Sequence, residues 1–574
     1  MSDEPNKAEA DRRAIVEARQ QGTLATARTY GRLSGPGWLQ SALTLGGGSL
    51  GSSLYLGVLA GFGLLWLQPM AMILGIIMLS AIGYVAMSTP ERPFLAINRH
   101  INPVLGWGWA LATLAANMVW CLPQYSLASG VIQQNLLPGV LGQDSFVGDW
   151  WGKAIISLGI LATTLAVTWA YDSGGRGIRL YELMLKLVVA GIVLCFAGVV
   201  LVVTIQGDVH WKEVLAGFIP DFSKVYKPAP GFGWLLDAAP DGYRRFWSSF
   251  IVSEQRDVMI SAGATAVGIN MTFLLPYSMI RRGWDKDFRG LAIFDLSTGM
   301  FIPFVLATSC VVIASASQFH PLAPTDADRA MVRAQSTAEL PGVPEDQAAT
   351  FMMLRLEHKL GPEAFARLSD GEKKAQLEPL SRAETVLASQ LQRRDASALA
   401  QSLSELTGKN LANWIFGVGV VGMTLSSITL LMLISGFVIC EMLGLPPRGW
   451  PNRLGALAAT TGVLGPFLWA GEARFWLVVP TSVFCFTLLP FAYLTFVFVM
   501  NSKSLLGDQM PRGGRRVAWN VGMGVAAAVA TVASIYMVWV KAHVWGLAAV
   551  AAVALLVVFV HFAFPRKAAR DGSL

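Results

Sequence analysis

Runs of about 20 mostly apolar residues recur along nearly the whole chain, separated by short polar stretches. Coiled as helix, each run is long enough to cross the hydrocarbon core of a bilayer. None alternates apolar and polar residues in the manner of a barrel strand. The pattern predicts twelve spans, at roughly 37–60, 64–87, 104–135, 151–171, 180–205, 257–280, 290–317, 411–442, 453–470, 475–500, 516–540 and 545–564. The third is long enough to tilt or to bend at Pro123. The expected fold is an all-α polytopic membrane protein.

Two spans are interrupted. The first carries Gly46-Gly47-Gly48-Ser49, and three consecutive glycines cost a helix about 1 kcal/mol each relative to alanine. The sixth carries the small-residue stretch Ser261 to Asn270, with glycines at Gly263 and Gly268. Unwound backbone at membrane depth is tolerated only where protein or a cavity surrounds it. These are the first spans of two five-span halves. An odd number of spans per half makes the second half enter from the other face, so the expectation is an inverted repeat of 5+5 helices with broken helices 1 and 6 and two further C-terminal helices. Matched interruptions of that kind mark a transporter's solute site near the midplane. The corresponding segments are a tail (1–34), the first repeat (35–206), a linker and start of the second repeat (207–317), an extracytoplasmic helical loop (318–410), the rest of the second repeat (411–505), helices 11–12 (515–564) and a second tail (565–574).

The loop has its own signals. Ser369-Asp370-Gly371-Glu372 and Ser381-Arg382-Ala383-Glu384 fit the capping-box pattern, and Gly361-Pro362 breaks one helix from the next. Its sequence carries no His/Cys cluster or triad pattern, and it reads as a cap over the outer mouth, a gate or a docking surface.

Charge then orients the chain. Charged residues are only 14%, against about 25% in soluble domains, and mean hydropathy is +0.51. Lys and Arg gather after even-numbered spans: Arg92 and Arg99, Arg176 and Arg179, Arg281 to Arg289, Arg448 and Arg453, Lys503 to Arg516, and Arg566 to Arg570. By the positive-inside rule both termini face the cytoplasm of a cell's plasma or inner membrane. The net charge of +7 follows from that asymmetry, and nothing points to nucleic acid. The first 30 residues have no signal-peptide core. Cys121, Cys195, Cys310, Cys440 and Cys485 are scattered through apolar segments, as buried small hydrophobes are. Glu182, Lys186, Asp295 and Glu441 lie near span ends, where capping, packing or interfacial roles are expected. No nucleophile–base arrangement is visible, so an enzyme is not expected.

At this point the chain resembles the Nramp divalent-metal transporters, which have the LeuT-type fold. The resemblance covers roughly 35–510 and rests on Gly35-Pro36-Gly37, Gly61-Phe62-Gly63-Leu64-Leu65-Trp66, Gly263-Ala264-Thr265, Ser426-Ser427-Ile428-Thr429 with Gly436 and Glu441, and Leu489-Pro490-Phe491-Ala492 with Leu505-Leu506-Gly507. The resemblance implies that the family's Asp-Pro-Gly-Asn falls on Gly46, Gly47, Gly48 and Ser49. Its Ala-Thr-Val-Met-Pro-His falls on Ala264-Thr265-Ala266-Val267-Gly268-Ile269, its second His on Leu274, its tenth-span Gln on Ser482, and its third-span acids on Pro123 and Ser126. Carboxylate, thioether and imidazole are all missing from the matching positions.

A desolvated divalent ion needs such ligands. Their loss favours a small, weakly held anion on helix-start N–H groups. The expected function is therefore an alternating-access secondary transporter carrying bicarbonate or a small carboxylate. The alternatives are a carrier of Mg²⁺ or another hydrated cation, and a transporter-derived receptor or scaffold. The candidate site residues are Gly46, Gly47, Gly48, Ser49, Ala264, Thr265, Asn270 and Ser482, with Gln124 and Tyr125 along the pathway. No metal site and no cofactor is expected. The partners are the anion, the lipid bilayer and a coupling ion, H⁺ or Na⁺, left open.

Overall fold

The computed structural model describes residues 3–142, 145–172, 176–207, 209–320, 345–391, 409–468 and 477–563. Among these, nine helices are long and apolar enough to cross a membrane. The last of them, Gly513–Ala563, is two helices joined at His543, whose φ of 48° and ψ of −140° end the first. Arg176–Ile205 and the helical run over 450–468 supply the fifth and ninth spans. Nine, one more for the double helix, and these two make the twelve spans expected.

The helices in and around the candidate site are α1 (Pro36–Thr44), α2 (Gly47–Ala60), α3 (Leu67–Ala86), α4 (Pro103–Val131), α5 (Asp241–Ala266), α6 (Ile269–Arg281), α7 (Ile302–Phe319), α8 (Lys409–Met442), α9 (Val478–Thr487) and α10 (Gly513–Ala563). The first span is α1 and α2, and the sixth is α5 and α6. Each is broken, as the glycines predict.

The breaks are narrower than the sequence suggests. The first lies at Leu45 (φ −83°, ψ 50°) and Gly46 (φ −95°, ψ −179°), and Gly47, Gly48 and Ser49 already form the first turn of α2. The second lies at Val267 (φ −143°, ψ 109°) and Gly268 (φ −86°, ψ 163°). Extended geometry suits a β-branched residue, and the Val267 side chain sits against Gly75 of α3, where a Cβ would lie 2.1 Å from its Cγ2. The α2 helix runs equally close to α7: a Cβ on Gly57 would stand 2.6 Å from the Val312 carbonyl oxygen.

Three elements depart from the expected pattern. The sixth helix starts at Asp241, well before the apolar run, and its first turns are charged, with Asp241, Arg244 and Arg245. The ninth span is a 3-10 helix over Leu457–Leu464. Its glycines press on α4, and a Cβ at Gly462 would lie 2.5 Å from the Tyr125 ring. The seventh span contains a π-turn at Ser297–Phe301. Just before it, Asp295 caps α1 from across the bundle, accepting the N–H groups of Gly35 (3.1 Å) and Gly37 (2.7 Å). At the membrane end of α8, Glu441 accepts Arg92 at 3.0 Å.

The N-terminal stretch, read as a polar tail, forms helices Asp3–Gln21 and Thr23–Leu33. Arg12 pairs with Asp285 at 2.5 Å, so these helices share a face with the basic loop after the sixth span. The loop after the seventh span is helical over Glu345–Leu360, Pro362–Arg367, Asp370–Ala375 and Arg382–Gln390, and both capping boxes form. It packs Phe351, Leu387 and Ala388 onto Phe246 and Trp247 of α5. The rest of that loop, the side chains of Glu182, Lys186 and Cys195, and the C-terminal tail lie outside the described residues.

Candidate functional site

Between the two breaks lies a cavity of about 20 Å³, lined by Gly46, Gly48 and Ser49 from one break and Ala264, Thr265 and Asn270 from the other. That volume holds roughly one water-sized molecule. Two helices end there, α1 and α5, and two begin, α2 and α6. The wall thus combines carbonyl oxygens at two negative dipole ends with N–H groups at two positive ones. Among the described residues, no Asp, Glu, Lys, Arg or His lines it. Among the described residues no group of three or more His, Cys, Asp or Glu could hold a metal.

The glycines serve packing here, since neither Gly46 nor Gly48 has a positive φ. A Cβ on Gly48 would lie 2.3 Å from Cζ2 of Trp120, and one on Gly46 would lie 2.2 Å from Oγ of Ser427. Small residues let α4 and α8 close on the break. The N–H groups of Gly48, Ser49, Ile269 and Asn270 have no acceptor among the described residues. The Asn270 side-chain oxygen Oδ1 accepts Met271 N–H at 2.9 Å, and its side-chain NH₂ has no partner among the described residues. Ser427 Oγ, Gln124 Nε2 and Gln40 Oε1 are buried nearby and also unpaired. Such a concentration of buried unpaired polar groups calls for a polar occupant or for water.

Several expected contacts lie elsewhere. The Ser49 hydroxyl donates to the carbonyls of Thr44 (2.5 Å) and Gly46 (3.0 Å), and the Thr265 hydroxyl to Ala262 (2.9 Å). Broken helices leave carbonyls that hydroxyls satisfy, so both side chains offer the cavity lone pairs and no proton. Gly47 is off the cavity wall, and its N–H donates to Gln124 Oε1 at 3.2 Å. Gln124 therefore anchors the start of α2. Tyr125 faces Gly462 of the ninth span. Ser482 is buried with its hydroxyl on the Val478 carbonyl at 2.6 Å, and Cys485, one turn later, lines the cavity instead.

The positions matched to the family lack a thioether, but the site does not. Met271 lines the cavity, and its sulfur accepts Gly268 N–H at 3.4 Å and lies 3.5 Å from the Thr44 hydroxyl, which itself donates to the Gln40 carbonyl at 2.8 Å, so the thioether spans the two breaks. Position-by-position matching overlooks it because Met271 stands four residues after Val267, where the family thioether falls. The legible signal was helical spacing: Met271 is in the first turn after the Gly268 break, and its side chain leans back toward the helix start.

Paired broken helices around a midplane cavity define the inverted-repeat class of membrane transporters. The natural resistance-associated macrophage protein-like (Nramp) family profile matches residues 37–340 and 380–540. The chain belongs to the Nramp family. Variants of the manganese transporter of Eremococcus coleocola share its fold at 14% identity, covering 93% of this chain and 94% of theirs, with a TM-score of 0.59. The same transporter bound to an aromatic bis-isothiourea compound matches at 14% identity, over 93% of each chain, with a TM-score of 0.57. No curated protein matches the chain.

Proposed function

We propose that this Nramp-family transporter carries a small singly charged anion, bicarbonate foremost, by alternating access at the paired breaks. The observation that carries this reading is the set of unpaired N–H donors from two helix starts, with the Asn270 amide, facing one cavity with no ionised side chain. Converging helix N-termini favour an anion. The α1 and α5 carbonyl ends supply acceptors, which suits a solute that both donates and accepts. A divalent ion would find no carboxylate to offset its desolvation. The cavity must widen to admit a four-heavy-atom anion, as alternating access requires.

A second reading rests on the two sulfurs. Met271 and Cys485 both line the cavity, and soft ligands of that kind select cuprous ion over Mn²⁺ or Mg²⁺.

Uptake into proteoliposomes separates the two readings. Labelled bicarbonate should enter, and Mn²⁺ and Mg²⁺ should neither enter nor compete. Gly46→Asp, which puts a negative charge at the donors, should cut anion uptake at least about tenfold. Gly46→Ala supplies the steric control against Ser427. Met271→Leu should spare bicarbonate uptake, whereas it should abolish uptake of a soft cation. Mn²⁺ uptake by the unmodified protein without bicarbonate uptake overturns the anion reading.

A further inference from the structure

A second cavity, far larger than the first, opens on the membrane side of the broken sixth helix. It encloses about 740 Å³ between α3, α5, the tenth span and α10, with an almost wholly apolar wall that includes Leu74, Gly263, Val267, Phe486 and Ala533. It shares no residue with the solute cavity. One cation stands at its edge. Arg256 donates from Nε to the Val225 carbonyl at 2.5 Å and from Nη1 to the Tyr536 hydroxyl at 2.9 Å. Its Nη2 makes no hydrogen bond, and Arg256 forms no ion pair, among the described residues. The neighbouring carboxylate, Asp257, is taken by Lys541 at 2.7 Å.

Depth along the membrane follows from helix geometry. Arg256 precedes Ala266, the last residue before the break, by ten residues, or about 15 Å of helix. With the break near the midplane, that is half of an about 30 Å hydrocarbon core. Arg256 therefore stands at headgroup level, while Gly263 and Val267 lie deep among the acyl chains. Lys541, at the end of the first helix within α10, marks the same level.

We infer that this crevice is a phospholipid site, with an acyl chain lying against the broken helix down to Val267 and the lipid phosphate held by the Arg256 guanidinium. Arginine binds phosphate through paired N–H donors, and Arg256 keeps one amino group for that contact. The crevice walls suit a hydrocarbon tail: beyond Arg256, the polar side-chain atoms among the lining residues are the Tyr493 and Tyr536 hydroxyls and the Trp66 indole N–H.

The test uses the full chain in phosphatidylcholine vesicles doped with phosphatidylglycerol bearing a photoreactive diazirine near its tail end. A diacylglycerol probe with the same tails separates the contribution of the phosphate from that of the tail. Crosslinks should concentrate in 256–267 and 526–536. Ala533→Trp and Gly263→Leu, which fill the crevice, should lower labelling by both probes about tenfold at unchanged thermal stability. Arg256→Gln should lower labelling by phosphatidylglycerol and spare the diacylglycerol. Crosslinks spread evenly over the outer helices, labelling unaffected by crevice filling in folded protein, or equal phosphatidylglycerol labelling after Arg256→Gln would each overturn the assignment.

Discussion

At the scale of single residues, the site depends on how closely α4 and α8 approach the first break. Gly47 and Gly48 are adjacent, but their neighbours differ in kind. A Cβ at Gly48 meets the rigid Trp120 ring at 2.3 Å, whereas one at Gly47 meets the end of the Leu127 side chain at 2.4 Å, which can rotate away. Gly48→Ala should therefore destabilise the protein by about 1–3 kcal/mol and Gly47→Ala by less, read as the order of their melting temperatures in detergent. Ser49→Ala removes the hydroxyl that ties Thr44 and Gly46 together. It should cost about 1 kcal/mol of stability and reduce uptake modestly. Asn270→Ala, which deletes the free amide donor, should reduce uptake more while changing stability less. The reverse order would place the ligand on Ser49.

At the scale of elements, the helical segment over 345–391, the cap, is locked to the start of α5. Arg355 and Glu384, both almost fully buried, pair at 2.8 Å, and the Trp247 indole of α5 donates to the same Glu384 oxygen at 3.0 Å. Removing one partner leaves a buried charge, so Arg355→Met should loosen the cap by about 3–5 kcal/mol. The double change Arg355→Met with Glu384→Leu should restore much of that. Limited proteolysis of 345–391 reads both. Burial raises the Glu384 carboxyl, but hydrogen bonds from Trp247, Arg355 and Ser381 outweigh it and hold the group below its usual range. A depressed carboxylate contributes stability above its unfolded pKa and loses it as pH falls through the folded value. Lys359 and Tyr243 lower Glu378 at the same contact. The cap should thus hold near neutrality and become protease-sensitive only at pH below about 4, where carboxylates titrate.

At the scale of the whole molecule, the proposed alternating access requires the two breaks to be reachable from each side in turn. With Cys485→Ser as background to remove the thiol on the cavity wall, Ala264→Cys should react with a membrane-impermeant thiol reagent added to either face, and substrate should slow the reaction. Reaction from one face alone, under all conditions, would speak against alternating access at this cavity. The chain's small charge fraction and long apolar runs commit it to the bilayer, and the paired interruptions commit it to two related halves.

Much of this was written in the linear chain. Apolar runs reveal spans because hydrocarbon demands them locally, and glycine runs reveal breaks because helix propensity is local too. Ser369 and Ser381 announced their capping boxes for the same reason. What only the tertiary structure decided is which polar group faces which partner. Ser49 and Thr265 turn their protons to backbone carbonyls, Ser482 is buried off the cavity wall, and Met271 and Cys485 reach the wall. Hydrogen-bond direction and helix rotation depend on neighbours far away in sequence, and no run of adjacent residues encodes them.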